Sequence, residues 1–507
     1  MVDQLGAKWL EAAFEGVVPL PHLDRLRRMG TSFSRTVTSN PVCTPTRATL
    51  ATGLTSRQHG VIENGYVLDP ALPTFMRALQ EAGYRTGAAG KIHVRPHWES
   101  AYPDYHPYGF DVVHSTEDDR GGQWLDWVME HHPDQLENVL ATVWAPEMPA
   151  FEKYGPDQVN LGERIREIRR TFPWATPEFP LSHKDAFALP FPEEISQTNW
   201  TTDRGIEFLR SCPPDQPFFA QISYVQPHLP FCAPGPYFER VDTERIPEPL
   251  PPEWKDDPHA PEYFKQLQGG IPDDWKWQRH CYFADLAHLD AQLGRVLDEL
   301  EDSDRLENTF ILFLSDHGEM LHDHGTVGKE TKHYDACIRV PLIIAGPGLA
   351  RGKVSDEWIQ LEDICPTILD LAGTRLPPLP NQGTYMDRRG EDLDSLPGQS
   401  LLPLCRGDTP ARSRTAAYSE NYNPIAHYQY PHWVRTIRTR EFRYSYYAGG
   451  GGEQLFDLRS DSDELHNRAA DPDYRDIKHD LRLQLMEFII AQDFPKPRRN
   501  LFSLGVH

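Results

Sequence analysis

The chain of 507 residues is poor in cysteine: it has seven, widely spaced, and none forms a CxxC pair. That spacing excludes a disulfide framework and a zinc knuckle and fits a reducing compartment, so a cytoplasmic location is expected. No stretch approaches the roughly 18 consecutive apolar residues of a membrane-spanning helix. Met1 to Val18 carries acidic residues without the basic, apolar and cleavage-site progression of an export signal. Positive charge is also in deficit. Against 75 Asp and Glu stand 51 Lys and Arg, and the net charge of −24 repels nucleic acid and anionic membrane surfaces, so neither is expected as a partner. There is no internal repeat, and the one low-complexity tract, Gly449 to Gly452, reads as a loop between strands.

Proline is abundant instead. The 46 prolines crowd regions 95–110, 145–195, 227–260 and 376–411, which marks long loops or insertions on a regular scaffold. Between them helix and strand patterns alternate. Leu72, Phe75, Met76, Leu79 and Ala82 form a helical apolar face closed by Gly83, and Tyr84 to Lys91 follows as a strand. Thr201 to Arg210 reads as a capped helix and Pro217 to Val225 as a buried strand. Cys281 to Glu301 has helical apolar spacing, and Thr309 to Leu314 and Val340 to Ala345 are apolar runs of strand length. The pattern predicts an α/β fold with a large, mostly parallel sheet covered by helices on both faces. Ligands gather beyond the carboxyl ends of strands in such sheets, where Lys91, His228, Asp316 and His317 fall. From about residue 409 short runs rich in β-branched and aromatic residues predict a small antiparallel sheet, with Ile477 to Gln492 as a helix packed on it. The expected domains are therefore 1–408, with an insertion at about 98–200, and 409–507.

The strongest local signal is N-P-V-C-T-P-T-R-A-T-L-A-T-G-L, Asn40 to Leu54. Pro45 suits the first turn of a helix whose free N–H groups and dipole face Cys43, and Arg47 is placed to reach the same point. This reads as an oxyanion site holding a reactive side chain, or as a buried structural cysteine beside a capping threonine.

The segment C-T-P-T-R matches C-x-P-x-R, and the chain resembles the sulfatase family of the alkaline phosphatase superfamily. Six further motifs follow the family order: L-D-R-L (Leu23 to Leu26), T-G-L-T-S-R-Q-H-G-V (Thr52 to Val61), A-G-K-I-H (Ala89 to His93), S-D-H-G-E-M-L (Ser315 to Leu321), G-K-E-T-K-H-Y-D-A-C-I-R-V-P (Gly328 to Pro341) and L-F-D-L (Leu455 to Leu458). The resemblance implies that Cys43 is oxidised to formylglycine by a formylglycine-generating enzyme. It implies that the hydrated aldehyde attacks a small-molecule sulfate ester while Arg47 orients it. His93 is then the base that releases the sulfated intermediate. Lys91 and Lys329 bind sulfate oxygens, and Lys329, beside His228, donates the leaving-group proton. It further implies that Asp3, Gln4, Asp316 and His317, with modified Cys43, hold one divalent cation. Mostly oxygen donors favour Ca²⁺, and the histidine leaves Mn²⁺ or Mg²⁺ open.

Relatives carry an apolar strand into the first acidic pair. A strand usually needs about five to six residues, Met1 and Val2 are only its end, and a Val/Ile/Leu-rich segment upstream is expected. The competing reading is a formylglycine-dependent phosphonate monoester or phosphodiester hydrolase. The pair Lys91 and His93 tilts the choice toward sulfate, and a non-catalytic binding protein would have no need of C-x-P-x-R. The clustered His322, His324 and His333 read as a loop rather than a second metal site, and His59 as a packed loop histidine; Asn64 reads either as a diol contact or as part of a tight turn. The state of assembly is open to a homo-oligomer.

Overall fold

The computed structural model describes residues 1–98, 100–155, 157–376, 396–410, 412–422 and 433–492. Residues 377–395 of the proline-rich stretch and the end of the chain, 493–507, lie outside the described residues. In chain order the strands are β1 (Gly30–Val37), β2 (Arg85–Gly90), β3 (Val112–Ser115), β4 (Ala186–Ala188), β5 (Phe218–Ser223), β6 (Phe231–Ala233), β7 (Ile311–Leu314), β8 (Arg339–Ala345), β9 (Lys353–Gln360), β10 (Ala416–Asn421), β11 (Val434–Thr439), β12 (Phe442–Tyr447) and β13 (Gly452–Asp457).

Strands β3, β2 and β5 form a fully parallel sheet. A second sheet runs β7-β8-β1-β9, antiparallel at its first two pairings and parallel at the third. Met1 and Val2 lie between them. Met1 N donates to Ile222 O at 2.9 Å, and Tyr224 N donates to Met1 O at 3.0 Å. Val2 N donates to Leu314 O at 3.0 Å, and Val2 bridges Ser315 in parallel. Two residues thus tie the sheets into one layer and set Asp3 and Gln4 at its carboxyl edge. Beside them an apolar cavity of about 840 Å³ runs between β5 and β7, lined by Phe219, Ile222, Leu293, Phe313 and Ile368 among others.

The layer is buried on both faces, as alternate side chains of β8 show. Ile343 packs with Leu23, Leu26, Leu286 and Leu289 of the helices Pro21–Met29 and Trp275–Asp302. Leu342 and Ile344 point the other way, to Leu50, Ile364 and Leu402. Burial of such side chains contributes about 1.5–3 kcal/mol each. Close approach requires glycine at two places in β2. A Cβ on Gly87 would lie 2.4 Å from the Phe208 ring, and Gly90, at φ +90°, would bring one to 2.0 Å from Ser223 O. The Phe208 helix spans Gln197–Ser211, four residues ahead of the expected start at Thr201, because Ser196 caps it by accepting from Asn199 N.

Residues 98–200 carry short helices around a core of their own, with Trp124, Leu125, Val128, Leu140, Phe151 and Ile165. Strands β10 to β13 form an antiparallel meander, with the glycine tract turning β12 into β13. Leu481 and Leu485 of the helix Arg475–Gln492 pack on its Tyr418 and Ile437. Its β10 edge braces the approach to Cys43: Glu420 N donates to Ser39 O at 2.7 Å and Asn421 Nδ2 to Asn40 Oδ1 at 3.2 Å. No helix among the described residues is long and apolar enough to cross a membrane.

Candidate active site

Cys43 is the first residue of a helix ending at Thr52, all ten of whose side chains are buried. Val42 before it is extended, and Asn64 Oδ1 accepts the first-turn N–H of Thr44 at 3.0 Å, so Asn64 braces the helix start. One turn on, Arg47 donates to Asp316 (2.9 Å), Asp3 (3.4 Å), the Lys91 carbonyl (2.6 Å) and Ser223 Oγ (3.1 Å). Burial opposes its charge, but Asp316, Asp3 and Cys43 hold its pKa above the usual value. Its role here is to pin the two carboxylates, and it acts on Cys43 as a neighbouring charge.

Asp3, Cys43, Asp316 and His317 offer ligand atoms that all lie within 4.8 Å of one another, every one of them buried. His317 Nδ1 meets Gly318 O at 3.0 Å, which turns Nε2 toward Cys43 Sγ (3.2 Å) and Asp3 Oδ1 (3.5 Å). Burial, then Lys329, pushes the His317 pKa down to about 4, so the ring is neutral and its lone pair is free for a ligand role. Burial alone would raise Asp3, but Lys91, His228, Lys329 and Arg47 hold its carboxyl well below the ordinary range. Two carboxylates, a neutral imidazole and the Cys43 position make a donor set that fits a divalent cation. Gln4, at φ 68°, donates through Nε2 to Glu319 and accepts from Lys329 through Oε1 at 2.9 Å, so its carbonyl oxygen is shared with the lysine.

Of the remaining expected groups, Lys329 touches Cys43, and Lys91 pairs with the ligand carboxylate Asp3. Lys329 Nζ lies 2.8 Å from Sγ. Burial works against its charge, and Cys43 and Asp3 overcome this to raise its pKa. Lys91 is fully buried, with Nζ 2.5 Å from Asp3 and 3.2 Å from Asp118. His93 is buried at φ 49°, and burial, Lys91 and His97 push its pKa well down, which leaves it a neutral base. His228 donates through Nδ1 to Leu229 O at 2.7 Å, and its Nε2 lies 3.7 Å from Asp118. It thus stands on the Lys91 side, and the pairing with Lys329 expected from the sequence is absent from the contacts among the described residues.

Sequence reasoning missed His97 and the run Glu117-Asp118-Asp119, which joins Lys91 and His228 at the carboxyl end of β3. Three consecutive carboxylates just beyond a strand were the available signal. The other histidines have partners elsewhere: His322 with Gln278, His324 with Glu253 and the Tyr334 ring, His333 with Thr436, and His59 with Thr49.

The model of the sulfatase family matches residues 1–374, and that of the N-sulphoglucosamine sulphohydrolase C-terminal region matches 323–491. An arylsulfatase of Clostridium perfringens is 28% identical, over 94% of this chain and 90% of its own length. A choline-sulfatase of Rhizobium meliloti is 27% identical, over 93% and 82%. Among solved structures, the phosphonate monoester hydrolase of Agrobacterium radiobacter superposes with a TM-score of 0.75 at 24% identity, covering 97% of this chain and 94% of that one, and shares its fold. With the family match spanning most of the chain and the alkaline-phosphatase-like fold around Cys43, this protein belongs to the sulfatase family of hydrolases in the alkaline phosphatase superfamily.

Proposed function

We propose that the protein hydrolyses sulfate monoesters with Cys43, converted to formylglycine, as nucleophile. The observation that carries this reading is the setting of Cys43 Sγ, which stands where the hydrated aldehyde's oxygens would lie. Lys329 Nζ is 2.8 Å away and His317 Nε2 3.2 Å, with Asp3 paired to Lys91 beside them. A divalent cation held by Asp3, Asp316, His317 and modified Cys43, with Gln4 beside them, would supply positive charge that favours the ionised diol hydroxyl. Oxygen-rich ligation supports Ca²⁺ as that cation.

The chain's own residues account for the proton and charge movements. Arg47 fixes the carboxylates that face the diol, and Lys91 and Lys329 bind the nonbridging sulfate oxygens as charge develops on them. One diol oxygen bonds to sulfur as the sulfur–alcohol bond breaks, and the departing alkoxide takes a proton from Lys329 or His228. His93, neutral at the outset, then removes the proton of the second hydroxyl. The bond from carbon to the sulfate oxygen breaks, sulfate leaves, and the aldehyde is restored for rehydration. The buried, unpaired cysteines of the described residues support a reducing, cytoplasmic setting.

The fold shared with a phosphonate monoester hydrolase supports a second reading, in which the same groups serve phosphonate monoesters or phosphodiesters. The test is to co-produce the chain with a formylglycine-generating enzyme and map the Cys43 peptide by mass spectrometry. Turnover of aryl, choline and sugar sulfates is then compared with phosphonate and phosphodiester analogues. Aldehyde or hydrate at Cys43 together with preferred sulfate release is expected. Full sulfatase activity with an intact thiol refutes the mechanism, preference for a phosphorus ester selects the second reading, and no turnover of any ester leaves only a binding role.

A further inference from the structure

Beside Lys91 a second group of potential ligands comes together. His93 and His97 follow β2, and Glu117 and Asp118 follow its parallel neighbour β3. Their ligand atoms, one from each residue, lie within 4.8 Å of one another. All four residues are more than nine-tenths buried, at 2%, 8%, 3% and 6% exposure. Each contributes one buried polar atom that has no hydrogen-bond partner: His93 Nδ1, His97 Nδ1, Glu117 Oε2 and Asp118 Oδ1.

The other atoms of these side chains are held from outside. Glu117 Oε1 accepts from Tyr105 OH at 2.5 Å and from His93 N at 3.3 Å. Asp118 Oδ2 faces Lys91 (3.2 Å) and His228 (3.7 Å). Such outer contacts orient ligating carboxylates in metal sites. The separations inside the group are also of the right size. The orphaned His97 Nδ1 stands 4.0 Å from the orphaned Glu117 Oε2, near the roughly 3.3 Å between ligands on a four-coordinate ion with bonds of about 2.0–2.1 Å, while the other nitrogen of that ring lies 3.2 Å from Asp118 Oδ1. Charge points the same way. Glu117, Asp118 and Asp119 bring three carboxylates, and the nearest cation, Lys91, is shared with Asp3. An orphaned polar atom in a buried site is costly, and four of them on side chains whose ligand atoms meet call for an ion.

We infer that His93, His97, Glu117 and Asp118 form a second metal site, suited by its two nitrogens and two oxygens to a first-row divalent cation such as Zn²⁺. An imidazole whose Nδ1 lone pair is given to a cation keeps its proton on Nε2 and cannot accept another there. Filling this site therefore takes His93 out of use as a base and inhibits turnover. That consequence rests on the role proposed for His93, whereas the site itself does not.

The test is equilibrium dialysis of the full chain against excess zinc, with metal analysis of the protein and visible spectra of the cobalt-substituted form. Wild type should retain two cations per chain. His97→Asn and Glu117→Gln should each retain one, with second-site affinity lowered about 100-fold or more. Asp316→Asn, altered only in the first site, should retain the second-site cation and its cobalt bands. Melting curves identify a variant that has not folded, and the other then serves. One cation per chain in wild type, with His97 carrying a proton instead, overturns the site, as does a His97→Asn chain that keeps two. Zinc should slow sulfate ester turnover in step with second-site occupancy and leave the rate of His97→Asn, relative to its own zinc-free rate, unchanged. Two bound cations with undiminished turnover would keep the site and overturn the function proposed for His93.

Discussion

Replacing Lys91 by Met should damage the fold and the chemistry for separable reasons. Its Nζ lies 2.5 Å from Asp3 and 3.2 Å from Asp118 with no exposure to solvent. Burial alone would discharge it, yet Asp118 and Asp3 hold its pKa well above the ordinary lysine value, so it is charged at every working pH. Removing one partner of a buried ion pair costs about 3–5 kcal/mol, because a carboxylate is left without its counter-charge. Asp3 keeps Arg47 at 3.4 Å, so the larger share of that cost falls on Asp118. Separately, losing a buried charged contact to the sulfuryl oxygens raises the barrier by about 3 kcal/mol, roughly 10²-fold in kcat/KM. Adding Asp118→Asn removes the stranded charge but cannot restore the contact. The Lys91→Met/Asp118→Asn chain should therefore recover most of the lost melting temperature while kcat/KM for an aryl sulfate stays down by about 10²-fold. Thermal unfolding and initial rates on the same preparations decide it. Wild-type kcat/KM in Lys91→Met would remove the lysine from the site, and activity that returns with stability in the double variant would show that it acts only through the fold.

Two other substitutions probe groups in different ways. His93→Ala should still attack the ester but stall, leaving a sulfated protein about 80 Da heavier that intact-mass spectrometry detects; normal turnover without an adduct would reassign the base. Burial pushes Glu362, which accepts from Ser39, from an ordinary 4.5 up to about 7. The folded chain thus holds a proton that the unfolded chain releases between those values, and stability falls as pH rises from about 4.5 through 7. Glu362→Gln should leave stability little changed at pH 4.5 and raise it above pH 7 by on the order of 3 kcal/mol, and equal gains in melting temperature at both pH values would refute the assignment.

The alternation of helix and strand was legible because its main elements bury plain apolar faces. The helix Trp275–Asp302 carries Leu286, Leu289, Leu297 and Leu300 at helical spacing, and β8 is apolar from Val340 to Ala345. The start of the helix Gln197–Ser211 was hidden because its first turns bury Gln197, Thr198 and Asn199, polar residues that give no periodic signal. The motif residues Cys43, Arg47, Lys91 and Lys329 were legible through short local patterns. Glu117 to Asp119 were not, because their place depends on a pairing between β2 and the four-residue β3, whose burial has no clean alternation. Their chemistry is set by neighbours remote in sequence, as in the approach of Asp118 to His228.

Net charge misled least where it was asked least. A chain at −24 repels polyanions at a distance, yet the site around Cys43 includes Arg47 and Lys91, held in their charged forms chiefly by buried carboxylates, and Lys329, held by Cys43 and Asp3. Surface charges are screened over about 8–10 Å, whereas buried ones interact through a medium that screens them poorly. An anionic ester that reaches the pocket therefore responds to three fixed cations and the ligand carboxylates they balance, not to the excess acid on the surface. The carboxylates are part of that arrangement: without Asp118 and Asp3, burial would drive Lys91 toward its neutral form, and Lys329 holds its charge against burial through Cys43 and Asp3. The positive charge around Cys43 is thus built on buried acid, which reconciles so acidic a chain with the anionic ester proposed as its substrate.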